Sequence, residues 1–454
     1  MAIEWPKLTQ KVTLPWGSGE LSFDVPASWN LVYPELVNAP PPDPRPELEI
    51  VTDAVSNPEG ALPLSGRDLA GKKVVLVVDD NTRPTPVYKF FPMILDTLEA
   101  CGADLSNAKL LPALGIHTAM AKGEMEEKVG EEGLARVPWE NHDAFDDAKN
   151  TEFGTTSRGT PISLNAHLKD ADLILIMGLI EPHLMAGFGG GMKNILPGVA
   201  AADTIGAHHQ LLTDPPEQFN RVGADPEGNN FRLDFEEVKG MIDAEIFCIN
   251  VVINHERHIM AAFAGDPVGA HRKGIDYTRK AQGLHIAEQV DGIIVNSYPM
   301  DINFKQSMKC VGNSLPALKP GGPVMGFLKA DKGMDDVPLP EKMSVPLFLI
   351  KLLLRIIGPK YVFALLNVIK KGLNVEEKFL YYYILQLIRA HDLFLYVPSL
   401  TDEEAEHLFY FEHCRETDDV VRKGFFKLGL DATVAIFPEG GATYPIVGST
   451  EDLT

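Results

Sequence analysis

The alternation of short apolar strands with helical segments is the feature that most constrains the fold of this chain. Four runs rich in β-branched and aliphatic residues predict strands, at residues 73–78, 108–114, 171–177 and 245–250. Helical patterns follow them, at residues 87–100, 122–132, 200–207 and 266–283. Strands that alternate with helices in this way predict a largely parallel sheet with helices on both faces.

A second strand-and-helix pattern occupies the C-terminal part of the chain. Strands are predicted at residues 292–296, 393–397 and 433–437, and the N-terminal residues 11–25 predict a hairpin that turns at Gly17–Gly19. A chain of 454 residues is too long for one ordinary core. We therefore predict two α/β domains, residues 1–280 and a smaller domain at residues 281–454.

Polar side chains follow three of the predicted strands. Asp80 and Arg83 come after the first, His117 after the second and His183 after the third. Ligands bind beyond the carboxyl ends of the strands in sheets of this type, so we expect these residues on one edge. Imidazole has a pKa near about 6.5, and two histidines facing one ligand would suit a reaction that needs a proton acceptor on each side.

A glycine-rich connection, EPHLMAGFGGGMKNILPGVA at residues 181–200, follows the third strand. It matches neither the GxxxxGK[ST] nor the GxGxxG phosphate-binding pattern. Adjacent glycines at 189–191 lower backbone stability, which indicates a backbone that approaches a ligand closely, with the amine of Lys193 beside it. The alternative is a flexible surface loop.

Three further sets of polar residues are candidates for binding. Arg83 is predicted at a helix N-terminus, where guanidinium donors and the helix dipole would form an anion site. His208 and His209 end a predicted helix and are either a helix-end pair or metal ligands. Gln306 and Lys309 are three residues apart, so on a helix they share a face with Lys305 adjacent, which would suit a carboxylate.

Composition excludes some classes of function. With 41 basic and 63 acidic residues the formal net charge is -22, which argues against a duplex-binding surface. The four cysteines form no CxxC pair, which favours a reducing, cytoplasmic environment, and no signal-peptide pattern is visible. The apolar stretch 345–368 is interrupted by charged residues, glycine and proline, so we expect no transmembrane segment. We expect helices buried against the body or a second copy, with a peripheral membrane contact as the less favoured interpretation.

Four motifs in order along the chain resemble one known family. They are DDNTRP, ALGIHTAM, EPHLMAGFGGGMKNILPG with a histidine sixteen residues past its lysine, and PMDINFKQSMK. Over about residues 10–330 the chain is similar to the nickel-dependent lactate racemases, which are 2-hydroxy-acid racemases and epimerases that use a nickel-pincer nucleotide.

The resemblance implies an isomerase that works by reversible hydride transfer. Lys193 would carry the pyridinium-3,5-bisthiocarboxylic acid mononucleotide covalently, and nickel would take an imidazole ligand from His209, with His208 as the alternative. His117 and His183 would be the paired acid/base residues. The remaining site residues implied are Asp80, Asn81, Thr82 and Arg83 for the cofactor, and Arg83, Lys305, Gln306 and Lys309 for the substrate.

The same resemblance assigns cofactor binding and catalysis to residues 1–280. Substrate contacts would come from residues 281–454, which include an apolar helical insertion at about 340–390. Expected partners are cofactor-maturation proteins and, from the apolar insertion, a second copy of the chain. Thr118 stands where related sequences often have arginine, and Lys305 stands where an aromatic residue is common. Lys305 would suit a second carboxylate or a polyol, so malate-like and sugar-acid substrates are open.

Three other functions are compatible with parts of the pattern. A non-catalytic cofactor carrier would keep Lys193 without turnover. A nicotinamide-dependent 2-hydroxy-acid dehydrogenase would need a dinucleotide fingerprint, and none is visible. A metal hydrolase would use His117, His183 and His209 as ligands for zinc.

Overall fold

The chain forms two compact units in a computed structural model. The structure describes residues 5–213, 218–334, 345–358 and 375–448, and positions 339, 342 and 361. The central unit comprises Pro40–Asp214 and Ala224–Arg279, and the terminal unit comprises Met1–Ala39, Pro215–Gly223 and Lys280–Thr454. The predicted domain assignment, residues 1–280 and 281–454, stays a prediction.

The strands follow one another along the chain in this order: β1 Thr9–Trp16, β2 Gly19–Pro26, β3 Asn30–Val32, β4 Glu35–Leu36, β5 Val74–Asp79, β6 Lys109–Ala113, β7 Asn150–Thr155, β8 Pro161–Asn165, β9 Leu173–Leu179, β10 Pro182–His183, β11 Gly187–Phe188, β12 Glu245–Ile253, β13 Ile259–Gly265, β14 Gly283–Ile286, β15 Gly292–Asn296, β16 Pro323–Phe327, β17 Asp392–Tyr396, β18 Glu412–Cys414, β19 Thr433–Phe437 and β20 Tyr444–Val447.

The α-helices are α1 Glu47–Ser56, α2 Phe91–Ala100, α3 Lys122–Val129, α4 Glu131–Arg136, α5 Ala202–His209, α6 Asn230–Glu237, α7 Gly269–Gln282, α8 Phe304–Ser307, α9 Lys309–Ser314, α10 Leu347–Ile357, α11 Val375–Ala390, α12 Asp402–His407 and α13 Thr417–Leu428.

The central unit is built on a five-stranded sheet in the order β13-β12-β9-β5-β6. Strands β12, β9, β5 and β6 are parallel, and β13 is an antiparallel edge strand. Every residue of β5 and β9 is buried, which means that both faces of the sheet are covered. The predicted α/β class is confirmed, and each of the first four predicted strands overlaps an observed one.

The terminal unit has a six-stranded sheet in the order β18-β17-β16-β15-β19-β3, with every neighbouring pair parallel. The predicted hairpin is present as β1 and β2, joined by a two-residue turn at Gly17 and Ser18. Apolar residues of the hairpin, including Leu14 and Phe23, share a core with Ile294 and Phe327 of this sheet. The N-terminal residues therefore belong with the C-terminal part of the chain.

Within the predicted insertion at about 340–390 the structure contains α10 and α11, and residues 359–374, apart from position 361, lie outside the described part. Of α10, only Ile350 and Leu354 are buried, while Phe348, Leu352 and Ile356 are exposed. One face of α10 is thus buried within the described part of the chain, and burial of the rest of this stretch against the body or a second copy stays a prediction. Among the described residues, no helix is both long enough and apolar enough to cross a bilayer.

Candidate active site

Three loops meet at one edge of the central sheet because β6, β5 and β9 are adjacent and parallel. Their last residues are Ala113, Asp79 and Leu179, so the segments that follow leave the sheet on the same side. Two contacts join these segments: Asp80 with His117, and Arg83 with Glu181. The structure thus brings together polar residues that are distant in sequence.

Asp80 is an almost fully buried carboxylate that holds His117. Its Oδ2 lies 2.5 Å from His117 Nδ1, and its Oδ1 accepts from the Thr82 hydroxyl at 2.5 Å. Burial alone would raise the pKa of Asp80. The opposing effect is larger and lowers the pKa to about 2; it comes from the hydrogen bond and charge of His117, the hydrogen bond from the Thr82 hydroxyl and the charge of Arg83. An ionised carboxylate can only accept, so His117 carries a proton on Nδ1, and in its neutral form the lone pair is on Nε2.

Arg83 forms an ion pair with Glu181, with Nη1 to Oε1 at 2.8 Å. Helix α2 begins only at Phe91, after a short 3₁₀ turn at Val87–Lys89, so the predicted placement of Arg83 at a helix N-terminus is wrong. The carboxylate of Glu181 provides its counter-charge. Glu181 is not among the predicted site residues, although its position just after β9 gives it the same strand-end signal as His183.

A buried ion pair lies behind the Asp80–Arg83 segment. Lys128 of α3 donates from Nζ to Asp79 Oδ1 at 2.9 Å and to the carbonyl oxygen of Arg83 at 2.7 Å. The Thr85 hydroxyl donates to the other oxygen of Asp79 at 2.5 Å. Asn81 is exposed and donates to Glu124 of α3 at 2.6 Å. Helix α3 therefore fixes the backbone of the loop.

The amine of Lys193 lies among the charges of this edge. It follows the glycines in a 3₁₀ turn, Gly191–Asn194. Burial lowers its pKa first, Arg83 lowers it further, and Asp80 and Glu181 offset part of the effect, so that the pKa is about 7. At neutral pH a large fraction of the amine is therefore uncharged and able to act as a nucleophile.

The glycines before Lys193 are required by contacts with the protein itself. A Cβ at Gly190, where φ is +77°, would lie 2.8 Å from Asn250 Oδ1 and 2.9 Å from the Leu179 carbonyl oxygen. A Cβ at Gly191 would meet His271 at 3.0 Å, and one at Gly187 would lie 2.7 Å from the Ala224 carbonyl oxygen. Close packing against neighbouring segments is enough to require glycine at these positions, and the predicted close approach to a ligand stays a prediction.

Two buried side chains bind carbonyl groups of this glycine loop. Arg232 donates from Nε to the Ala186 carbonyl at 2.8 Å and also to the Phe188 carbonyl. His271 Nε2 lies 2.6 Å from the Gly189 carbonyl oxygen, and its Nδ1 lies 3.4 Å from Arg232 Nη1. Burial holds the pKa of His271 well below its usual value, so the ring is neutral, donates to Gly189 and accepts from Arg232. No sequence signal separated these two residues from surface ones.

His183 lies in β10, which pairs with β11 as a two-residue ladder. Its Nδ1 accepts from the backbone N–H groups of Met185 and Ala186, both at 3.2 Å. In the neutral form its proton is therefore on Nε2. His117 and His183 have opposite tautomers, one with the lone pair on Nε2 and the other with the proton there.

The two neighbouring histidines of α5 differ in environment. His209 Nδ1 lies 2.8 Å from the Ile205 carbonyl oxygen, which places the proton on Nδ1 and the lone pair on Nε2, the arrangement common in metal-binding imidazoles. His208 is fully buried, lies 2.8 Å from the Phe231 carbonyl oxygen, and has its pKa lowered by burial to about 4. In the described part of the chain, no three His, Cys, Asp or Glu side chains are grouped as a metal site.

The predicted substrate-contacting residues lie in the terminal unit. Gln306 is in α8 and Lys309 begins α9, so the single helical face predicted for them is divided between two short helices. Asn303 caps α8 by accepting from the backbone N–H of Gln306 at 3.0 Å. Lys305 is exposed, and Gln306 and Lys309 are half-buried.

Comparison with known proteins finds the family that the four sequence motifs resemble. Residues 16–220 match the model of the lactate racemase N-terminal domain. The chain is 31% identical to a lactate racemase of Thermoanaerobacterium thermosaccharolyticum over 324 residues, which is 69% of this chain and 73% of that protein. It is 25% identical to a lactate racemase of Lactiplantibacillus plantarum over 399 residues, 87% of this chain and 90% of the relative.

Solved structures show the same relationship. The lactate racemase apoprotein of T. thermosaccharolyticum matches with a TM-score of 0.79 and 25% identity, over 97% of this chain and 100% of that chain. A protein of Thermotoga maritima matches with a TM-score of 0.59 and 18% identity, over 89% of this chain and 99% of that chain, which shows similarity of fold.

Proposed function

We propose, from the premise that this chain belongs to the lactate racemase family and is a racemase, that it inverts the C2 carbon of a 2-hydroxy acid by reversible hydride transfer. The observation that carries the proposal is the Asp80–His117 contact of 2.5 Å on the edge from which Arg83, His183 and the Lys193 loop also extend. We assign the acid/base roles to His117 and His183.

Inversion at C2 requires that hydrogen leaves carbon and returns to the opposite face. His117, with its lone pair on Nε2, would accept the hydroxyl proton of one enantiomer while C2 gives up hydride, which leaves a 2-keto acid. The buried charge of Asp80 stabilises the imidazolium that forms. His183 then returns a proton to the keto oxygen from the other side.

Proton return by His183 has a structural requirement. A neutral His183 can only donate a hydrogen bond from Nε2, because full transfer of that proton would leave an imidazolate. As an imidazolium it also carries a proton on Nδ1, which must release the bonds from Met185 and Ala186. Those bonds are long, at 3.2 Å each, so their release is a small local change.

The residues present fit a lysine-tethered nickel-pincer nucleotide. Lys193 offers an amine with a pKa of about 7 for covalent attachment, and the tautomer of His209 would suit a nickel ligand. Asp80, Asn81, Thr82 and Arg83 would contact the cofactor. When bound, this group would supply the hydride acceptor of the reaction. Its synthesis requires cofactor-maturation proteins, which we propose as partners.

Carboxylate recognition is assigned to Arg83, Gln306 and Lys309, with Lys305 as the residue that selects among 2-hydroxy acids. Arg83 uses Nη1 for Glu181, and its guanidinium has further N–H donors for a substrate carboxylate. Lys305→Ala should change the order of preference among lactate, malate and sugar acids. An unchanged order would remove this role.

The decisive experiment supplies cofactor-loaded protein with single enantiomers of several 2-hydroxy acids in D₂O. Chiral separation should show inversion, and mass spectrometry should show that hydrogen at C2 is retained, because hydride transfer does not exchange with solvent. His117→Gln and His183→Gln should each abolish inversion while the intact mass still shows the Lys193 adduct. An adduct without inversion in the wild type would indicate a carrier, and turnover that depends on added NAD would indicate a dehydrogenase.

The nickel ligand can be separated from its neighbour by metal analysis. His209→Gln should retain the Lys193 adduct and lose bound nickel. His208→Gln should retain nickel, since His208 contacts Phe231 inside the fold. Loss of nickel in the His208 variant alone would reverse the assignment.

A further inference from the structure

A buried ion pair between α3 and β5 holds the segment that carries Arg83. Lys128 lies in the last turn of α3, and its side chain is 4% exposed, while that of Asp79 is 8% exposed. Its Nζ donates to Asp79 Oδ1 at 2.9 Å and to the Arg83 carbonyl oxygen at 2.7 Å. One ammonium group therefore joins the last residue of β5 to the main chain of Arg83.

Stability does not account for this ion pair. Two charged groups lose their hydration when they are buried, and an apolar pair of similar volume is often equally stable or more stable. The pKa of Asp79 is raised, because burial outweighs the effects of Lys128 and the Thr85 hydroxyl, which lower it. The hydrogen bond from Lys128 to the Arg83 carbonyl is the contact that an apolar side chain could not replace.

The chain that follows Arg83 offers few backbone donors. Pro84 and Pro86 have no backbone N–H, and a proline restricts the residue before it to extended conformations. Helix α2 begins only at Phe91. The carbonyl of Arg83 instead receives its hydrogen bond from Lys128, 45 residues further along the chain.

The residue Arg83 is thus held at both ends. Lys128 donates to its backbone carbonyl, and Glu181 accepts from its Nη1 at 2.8 Å. An arginine side chain has many rotamers, and ordering it before a ligand arrives removes that entropic cost from binding. A guanidinium has five N–H groups, so donors besides the one on Glu181 can serve a carboxylate.

We propose that Lys128 is a positioning residue, which acts through the Arg83 carbonyl to direct the guanidinium toward the carboxylate of the 2-hydroxy acid. The inference rests on the carboxylate-binding role proposed for Arg83. Lys128 takes no direct part in proton or hydride transfer. Loss of the ion pair should therefore weaken substrate binding and leave the chemical step and the attachment at Lys193 nearly unchanged.

The test is isothermal titration of the cofactor-loaded protein with racemic lactate and with racemic malate. A racemate is already at equilibrium for inversion at C2, so turnover adds no net heat and the titration reports Kd. Asp79→Asn with Lys128→Met removes both charges, which avoids an unpaired buried ion. This variant should raise Kd about 10-fold and change kcat by about two-fold or less, because loss of uniform binding leaves kcat unchanged. Thermal unfolding and intact mass should show folded protein with the Lys193 adduct.

A double-mutant cycle with Arg83→Gln separates positioning from general damage. Arg83→Gln alone should raise Kd about 100-fold, through loss of charge-assisted hydrogen bonds to the carboxylate. If Lys128 acts through Arg83, the Asp79/Lys128 variant should raise Kd by no more than about two-fold in the Arg83→Gln background. An effect in that background as large as in the wild type would overturn the inference.

The matched control is Glu47→Gln with Lys89→Met, which removes another lysine–carboxylate pair of the central unit, with Nζ to Oε2 at 2.7 Å. Its Kd should equal that of the wild type. An Asp79/Lys128 variant that binds like this control, or whose kcat falls as much as its Kd rises, would overturn the inference and leave the proposed function intact. An unchanged Kd in Arg83→Gln, or no binding by the wild type, would refute the carboxylate role of Arg83 and the inference with it.

Discussion

Asp80 has a pKa of about 2 although it is buried, because His117, Thr82 and Arg83 all stabilise its charged form. A carboxyl group whose pKa is lower in the folded state stabilises the fold above its unfolded pKa of about 4, and this contribution is lost as pH falls through about 2. The pKa of Lys193 is also lowered, but for the opposite reason, since burial and Arg83 disfavour its charged form. Each residue thus has its protonation state set by a few neighbours.

Replacement of Asp80 by Asn should lower kcat by about 100-fold or more, because the amide does not stabilise the imidazolium of His117. Steady-state kinetics of cofactor-loaded protein would measure this. Thr82→Ala removes one hydrogen bond to the same carboxylate and serves as the milder control. If kcat of the Asp80→Asn enzyme fell no further than that of the control, the Asp80–His117 pair would have no catalytic role.

Replacement of Lys193 by Met should stabilise the apoprotein more at pH 6 than at pH 9. The lysine pKa is about 7 in the folded state and 10.5 in its unperturbed form, so the folded state binds fewer protons between these values and stability of the wild type rises with pH there. The difference in Tm between variant and wild type should therefore shrink toward pH 9. Lys149→Met, at an exposed position, should show no such trend. A pH-independent difference for Lys193→Met would contradict the lowered pKa.

At the scale of elements, the glycine loop is a connection held rigidly by its surroundings. Asn250 of β12 accepts from the backbone N–H of Gly191 at 2.9 Å, and Asn194 donates to the carbonyl of Met177 in β9 at 3.1 Å. Arg232 of α6 and His271 of α7 bind carbonyl groups on the same loop. Two strands and two helices therefore determine where Lys193 lies.

Gly190→Ala should lower the free energy of unfolding by about 3 kcal/mol. The new Cβ would lie 2.8 Å from Asn250 Oδ1, a close-contact effect of about 2 kcal/mol, and the positive φ adds about 1 kcal/mol. Gly159 also has a positive φ, +86°, with no atom within 4 Å of an added Cβ, so Gly159→Ala should lose only about 1 kcal/mol. Urea unfolding of both variants would measure the difference, and equal losses would refute the packing explanation.

Arg232→Lys should lower stability by about 3 kcal/mol and reduce the fraction of protein with a Lys193 adduct. A lysine keeps the charge but cannot reach Ala186, Phe188 and Glu236 together, so buried carbonyl groups lose their donors. The control is Arg279→Lys, since Arg279 pairs with the exposed Asp225 and should contribute about 1 kcal/mol or less. Urea unfolding and intact mass would report the two effects. A normal adduct fraction in folded Arg232→Lys protein would show that the contact does not position Lys193.

At the scale of the whole molecule, each unit has a hydrophobic core of its own. The core of the central unit consists of buried residues between positions 50 and 264. The core of the terminal unit joins Val12 and Trp29 to Ile436. Cores that do not depend on each other allow separate folding.

A fragment of residues 40–279 should therefore unfold cooperatively by itself. It contains His117, His183, Lys193 and His209, so it should also accept the cofactor on Lys193, yet it lacks Gln306 and Lys309 and should not racemise 2-hydroxy acids. Thermal unfolding followed by circular dichroism, intact mass and chiral separation would measure the three properties. A fragment without a cooperative transition would show that the central core needs the terminal unit, and racemase activity would remove the proposed role of Gln306 and Lys309.

The sequence by itself determined the α/β class and the positions of four of the five strands of the central sheet, β5, β6, β9 and β12. Runs such as Val74–Asp79 and Leu173–Leu179 are apolar throughout because both faces of the sheet are covered, and that composition is visible without a structure. Motifs at the strand ends also predicted that Asp80, Arg83, His117 and His183 lie on one edge, because parallel strands end on the same side, and the contact of Asp80 with His117 agrees with this.

Only the tertiary structure decided how those residues are held. The contacts of Arg83 with Glu181 and of Arg232 with Ala186 join positions 98 and 46 residues apart, and no local pattern encodes such pairs. The reason for the glycines at 189–191 also became visible only when Asn250 and His271 were seen against them. Local periodicity reports which face of an element is buried, whereas hydrogen-bond partners and close contacts depend on where distant segments meet.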